Sequence, residues 1–405
     1  MRNAFALLGD LLYCPVPGNG EPVSAQYVVC EDGRVSGVFE TLPSRFEGIE
    51  VVDYTGMLIV PGFTDLHLHA PQYPNCGLGG DLELLDWLQA YTYPEEARYA
   101  DLDYARGAYT QFAQALLGSV TTRACIFATL HSEASLLLGD LLERTGLKTQ
   151  IGRVSMDRNS PDPLRERDAP TALAEERAWL EAVARRGWRN TVPVITPRFV
   201  PACSQELLLG LGQLRTETGL AVQSHLDENP SEIEWVRELV PDAPHYAGAY
   251  DRFGLFGGGY PAIMAHCVHC SEEELALIAV RGVTVAHCPT SNTNLKSGVA
   301  PVRRMLELGL SVGLGSDISG GHTLSMLSVA AAAISDSKLR WRLLDSAQAP
   351  LSFGEAFRLA TVGGGAFFGR VGSFSPGFEF DAVVLDDRRL RTPHPRSPAE
   401  RLERL

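Results

Sequence analysis

The rhythm of hydrophobic and polar positions changes twice along the 405-residue chain. Up to about residue 60, apolar residues come in short runs divided by turn formers. Val28-Val29-Cys30 meets Glu31-Asp32-Gly33-Arg34, and Val35 to Phe39 returns with partial alternation, which predicts a hairpin. Ile49 to Asp53 predicts another short strand, and Tyr54-Thr55-Gly56 predicts a turn into Met57-Leu58-Ile59-Val60. The C-terminal region has the same texture, with a Gly- and Ser-rich stretch over 372–377 followed by Ala382-Val383-Val384-Leu385.

Between about 61 and 370, short apolar runs alternate with amphipathic segments of helical period. Strands are expected over 59–68, 120–122, 148–154, 191–195, 221–224, 262–265, 282–287 and 310–315. The stretches 101–118, 133–145, 171–187, 204–218, 271–281 and 301–308 read as helices. Strands that alternate with helices argue for a parallel sheet, and eight such units in this length fit a barrel with loop insertions. An open doubly wound sheet would carry a Gly-x-Gly-x-x-Gly turn after its first strand, and none occurs there. The expected fold is therefore α/β: a distorted (β/α)8 TIM barrel over 61–370. A small β-sandwich domain would be assembled from 1–60 and 371–405.

Charge narrows the partners. The formal net charge is −14, from 35 basic and 49 acidic residues, so a phosphate backbone is repelled and nucleic acid is not an expected partner. Lysine occurs only at Lys148, Lys296 and Lys338. No run of eighteen uncharged apolar residues is present, so no membrane span is expected. The first ten residues carry no cleavable signal pattern, which makes the cytoplasm the expected compartment. The eight cysteines are scattered, so reduced thiols are expected rather than a disulfide framework. Cys267 and Cys270 alone have metal-like spacing, without an evident second ligand pair.

Candidate chemistry collects at strand ends. His67-Leu68-His69 closes the first barrel strand, and residues two apart on a strand point to one side. His225 ends the run Ala221-Val222-Gln223-Ser224, His266 ends Ile263-Met264-Ala265, and Asp317 follows Gly313-Leu314-Gly315-Ser316. A barrel brings the C-terminal ends of its strands together, so these side chains should converge. Imidazoles with a carboxylate suit Zn²⁺ and also Fe²⁺, and such an ion makes water acidic enough to attack at neutral pH. A proton shuttle is then required, and Glu228, three residues after His225, is placed for it, whereas its neighbour Asp227 should point elsewhere.

The stretch Pro61-Gly62-Phe63-Thr64-Asp65-Leu66-His67-Leu68-His69 resembles the entry motif of the amidohydrolase superfamily. Later segments resemble its guanine deaminase branch. They are Ala70-Pro71-Gln72-Tyr73, Asp86-Trp87-Leu88 with Tyr91-Thr92-Tyr93-Pro94-Glu95, and Thr196-Pro197-Arg198-Phe199. Further on stand Gln223-Ser224-His225 with Glu228-Asn229, Met264-Ala265-His266, Ala286-His287-Cys288-Pro289 with Ser291-Asn292, and Gly313 to Asp317 with Gly320-Gly321. The resemblance implies one metal ion per subunit on His67, His69, His225 and Asp317, with His266 bonded to the attacking water rather than ligating. The segment Thr191 to Phe199 has no lysine or acid to bridge a second metal.

The resemblance further implies that Gln72 meets the purine edge, Arg198 the carbonyl oxygen, and Phe199 the ring face. Glu228 would protonate the ring nitrogen, and Asp317 would help deprotonate the water. The implied reaction is guanine to xanthine and ammonia, carried out by a homodimer. The alternatives are deamination of 8-oxoguanine, cytosine or an adenosine-type nucleoside by the same site, hydrolysis of a chlorinated triazine, or a non-catalytic scaffold. Asp227 and the Cys267–Cys270 pair depart from the family pattern without touching an expected ligand. From its position, the segment from Trp87 to Glu95 is expected to cover the pocket.

Overall fold

The computed structural model describes residues 4–18, 20–390 and 392–405. Strands β1 (Ala4–Tyr13), β2 (Val23–Glu31), β3 (Arg34–Phe39) and β4 (Glu50–Pro61) form one sheet with β15 (Ala382–Leu385), in the order β15-β4-β1-β2-β3. The two chain ends therefore share a sheet, through antiparallel pairing of Ala382–Leu385 with Leu58–Pro61. The C-terminal segment is also tied by charge: Arg401 reaches Asp10 on β1 and Asp387.

Two details of this sheet differ from the sequence reading. The turn expected at 54–56 is instead a bulge within the continuous strand β4. Leu8 pairs with Asp53 and Asp10 with Leu58, so residues 54–57 loop out of register, with Gly56 at φ +82°. The strand β1 was not anticipated, because Ala4–Tyr13 lacks clean alternation and has no turn signal before it.

The central strands make two parallel four-stranded sheets. One has the order β5-β6-β7-β9, from Phe63–His69, Thr121–Phe127, Lys148–Gly152 and Thr191–Pro193. The other is β11-β12-β13-β14, from Val222–Leu226, Ala262–His266, Thr284–His287 and Ser311–Leu314. A short pair, β8 (Val154–Ser155) with β10 (Thr196–Pro197), lies beside them. All residues of β5, β11, β12 and β13 are buried, as parallel strands covered on both faces must be. The first of these strands begins at Phe63 rather than at residue 59, because Leu58–Pro61 belong to the end sheet.

The expected strands 148–154 and 191–195 are interrupted. Pro193 and Pro197 have no N–H to donate to a ladder. An isolated bridge between Ile195 and Val222 joins the two sheets at this side. At the other side the end of β14 meets β5, where the Asp317 N–H donates to the His67 carbonyl at 2.8 Å. Gly315 makes this approach feasible, since a Cβ there would lie 2.9 Å from the His67 Cβ. The helices fall close to their expected positions, among them Leu102–Leu117, Ser132–Thr145, Ala169–Arg186 and Gln205–Thr218. No helix among the described residues is long and apolar enough to cross a membrane.

Candidate active site

Four histidines and an aspartate meet where the strands end. His67 and His69 come from one face of β5, His225 from β11, His266 from β12, and Asp317 from the turn after β14. His69 Nε2 and His225 Nε2 stand 3.1 Å apart. Asp317 Oδ1 lies 3.3 Å from His67 Nε2 and 3.6 Å from His69 Nε2. Backbone strain marks the place: His266 has φ +73° and Asp317 +44°, a conformation costly for residues with a side chain.

The cluster fits a metal ion. One nitrogen from each of His67, His69 and His225 lies within 4.8 Å of the others, and His67 Nε2 is buried without a hydrogen-bond partner among the described residues. Burial, and then the neighbouring imidazoles, hold His69 and His225 well below the ordinary histidine range, so both present a neutral lone pair. Burial alone would raise Asp317, but His67, His266 and His69 hold it well below the usual carboxylate value. His225 Nδ1 faces the Arg198 carbonyl oxygen at 2.7 Å, which turns Nε2 toward the cluster. Asp65, beneath, accepts the backbone N–H groups of His67 and Ser316 and so couples the two segments that carry His67 and Asp317.

Glu228 stands beside this cluster. Its Oε2 is 3.4 Å from His266 Nε2, and the Ser297 hydroxyl donates to its Oε1 at 3.5 Å. Burial, reinforced by the charge of Asp317, pushes its carboxyl well above the usual carboxylate range. Its neighbour Asp227 turns away and accepts from the Cys270 thiol at 3.1 Å. All eight cysteines are reduced. Cys288 sits near His67 and His266, and burial together with the charges of Asp317 and Asp65 keeps its thiol protonated.

A pocket opens onto these groups. His69, His225, Glu228 and Asp317 line its floor, and Gln72, Arg198 and Phe199 its walls. Leu84, Trp87 and Leu88 line another side, and the Trp87 indole N–H is tied to the Leu78 carbonyl oxygen at 3.1 Å. The edge of the Phe199 ring faces Trp235 across the pocket wall. An aromatic wall with a few converging polar groups suits a small planar molecule.

The structure thus gathers every site residue expected from the sequence. It adds others that the sequence reading missed. Glu96 is buried against both Arg198 and Gln72. Glu95 and Glu96 are consecutive acids at a helix start, and the sequence gives no sign which one turns inward. Glu95 instead meets the Tyr104 hydroxyl and Arg98. Asn292 Oδ1 faces His266 Nδ1 at 2.9 Å. Its place in the segment Ser291-Asn292 was visible, but its partner was not.

Residues 58–403 match the amidohydrolase family. The chain belongs to the amidohydrolase family. Guanine deaminase from Dictyostelium discoideum is 42% identical over 83% of this chain and 74% of its own length. Guanine deaminase from Escherichia coli is 37% identical over 84% of this chain and 75% of its own length. A guanine deaminase structure from C. acetobutylicum with guanine bound in its active site superposes at a TM-score of 0.94. It has 43% identity and covers 99% of this chain and 95% of that one. The chain is therefore a hydrolase acting on C–N bonds.

Proposed function

We propose that this amidohydrolase deaminates guanine, giving xanthine and ammonia. The observation that carries the reading is its likeness, at 43% identity and along 99% of the chain, to a guanine-bound guanine deaminase. The pocket supports it independently, with an aromatic wall, a guanidinium, a carboxamide and a buried carboxyl beside a histidine cluster.

In this reading His67, His69, His225 and Asp317 hold one zinc ion. When bound, the ion supplies Lewis acidity, which brings the pKa of water toward about 7. Phe199 stacks on the purine face, Gln72 meets its edge, and Arg198 bonds the carbonyl oxygen as negative charge gathers there. Glu228 gives its proton to the ring nitrogen next to the carbon under attack. His266 orients the incoming water, Asp317 receives one of its protons and returns it to the departing amine, and the other passes back to Glu228 as the new carbonyl forms, so that guanine and water leave as xanthine and ammonia. Closure of the pocket by Leu84, Trp87 and Leu88 excludes competing water.

The same reading takes the two parallel sheets as halves of a distorted (β/α)8 barrel. The Ile195–Val222 bridge and the contact between Asp317 and His67 support closure at its two seams. It divides the chain at about residues 60 and 370, with the end sheet as the body of a small β-sandwich domain. A homodimer is proposed from the family resemblance alone.

The test is ultraviolet detection of xanthine with guanine, in metal-loaded protein and in Glu228→Gln. Wild type should turn over, and the variant should lose about 10²–10⁴-fold in kcat while keeping its metal. A metal-loaded wild type that leaves guanine intact refutes the reading.

A further inference from the structure

Glu96 belongs neither to the histidine cluster nor to the groups that exchange protons with substrate, yet it touches two of the three recognition side chains. It is 1% exposed. Its Oε2 accepts from Arg198 Nη1 at 2.6 Å, and its Oε1 accepts from Gln72 Nε2 at 2.9 Å. An ionised carboxylate has no hydrogen to donate, so it can face only the nitrogen end of the Gln72 amide. The carboxamide is thereby oriented. Its oxygen, which has no hydrogen-bond partner among the described residues, is the polar atom that Gln72 brings to the pocket it lines.

Arg198 is held in the same way through one nitrogen, by a charge-assisted bond that keeps the guanidinium in one pose. A guanidinium has five N–H donors, and no other donor of Arg198 is engaged by a described residue. The pocket wall therefore presents one acceptor beside a set of donors, and Glu96 determines which is which.

We propose that Glu96 is a positioning residue that sets this polarity. It thereby selects a purine whose carbonyl adjoins a ring N–H over one whose amine adjoins a bare ring nitrogen. The inference rests on the guanine reading above. Guanine carries the first pattern at O6 and N1. 2,6-Diaminopurine carries the second and offers the same 2-amine as leaving group. A site whose buried polar groups are left unpaired by the wrong analogue discriminates strongly, by factors of about 10⁴ in the best cases.

Glu96→Gln tests it. The new amide can accept from Arg198 only through its oxygen, which leaves its N–H groups toward Gln72. Gln72 must then turn its oxygen to residue 96 and its nitrogen to the pocket, so a donor stands where an acceptor stood. The measurement is kcat/KM for guanine and for 2,6-diaminopurine, with an inhibition constant for the latter where turnover is absent. Metal content and a thermal melt are taken on the same samples. The guanine-to-diaminopurine ratio should fall at least about tenfold, and Glu96→Asp, which keeps the carboxylate, should hold more of it.

If both substrates fall by one factor and the ratio stands, the inference is overturned and Glu96 is merely structural. If Glu96→Gln does not fold, Gln72→Met removes the acceptor with the Glu96–Arg198 pair intact. A lowered ratio there supports the proposal and an unchanged one overturns it. A metal-loaded wild type that makes no xanthine overturns the guanine reading and the inference with it. An active wild type whose ratio is unmoved in Glu96→Gln overturns the inference alone.

Discussion

Glu228 and Asp227 are adjacent carboxylates with opposite surroundings. Glu228 faces Asp317 and His266 in the pocket, whereas Asp227 faces the Cys270 thiol outside it. Strand alternation would put Asp227 on the face of His225, but Asp227 lies beyond the strand at φ +49°, and this left-handed residue breaks the alternation. The same logic applies to His266, whose ring pose depends on the 2.9 Å contact between its Nδ1 and Asn292 Oδ1. Asn292→Ala should lower kcat about 10–100-fold, the usual cost of removing a histidine's orienting partner, with little change in KM. Steady-state kinetics on guanine check it, and a rise in KM at unchanged kcat would show that Asn292 serves binding instead.

At the scale of elements, the segment that lines one side of the pocket carries Leu84, Trp87 and Leu88 inward. If it excludes water from bound substrate, Trp87→Ala should raise KM roughly tenfold, the order expected when an apolar contact of 1–3 kcal/mol is lost. An unchanged KM would remove its role as a cover. The helix Met326–Leu343 gives a second case. Its buried face is Met326, Val329, Ala333 and Asp336, a helical stripe whose last member is an acid. Burial raises the Asp336 carboxyl to about 7, and its Oδ2 has no hydrogen-bond partner among the described residues. A carboxyl whose folded pKa exceeds its unfolded value favours folding when protonated. That contribution is complete below about pH 4 and is lost as pH rises through 7. Asp336→Asn should therefore match wild type in stability at low pH and exceed it progressively up to about pH 8, as denaturant midpoints across that range would report.

At the scale of the molecule, the catalytic strands and the end sheet are joined by charge as well as by chain. Arg123, buried near the start of β6, pairs with Asp381 and, at 2.8 Å, with Glu379. These acids stand just before β15 in the sheet made from both chain ends. The pair lies at the end of β6 remote from the histidine cluster, so its loss should cost stability rather than chemistry. Arg123→Ala should destabilise by about 3 kcal/mol, because it leaves Asp381 without its buried partner. Activity per folded molecule should stay at the wild-type level. Chemical denaturation and kcat on the same preparation check both halves.

Much of this architecture was legible in the chain. Helix positions followed from amphipathic period and strand positions from apolar runs, because burial of one face or of two leaves that trace. The histidines and Asp317 were legible because each ends a strand, and parallel strands covered by helices bring such ends together. Glu228 was legible from its spacing to His225. Other features had no local signature. The bulge at 54–57 replaced a turn because β1 runs alongside and holds both halves of β4 in one sheet. The break between the two parallel sheets falls where their contact narrows to the Ile195–Val222 bridge, which no local pattern marks. Glu96 was invisible beside Glu95, since what distinguishes them is Arg198, 102 residues away. The sequence by itself determined which residues meet at the strand ends and which segments carry them. Only the tertiary structure decided which partners hold those residues in place, because a hydrogen bond or ion pair between distant segments is set by the packing of whole elements and leaves no periodicity in either one.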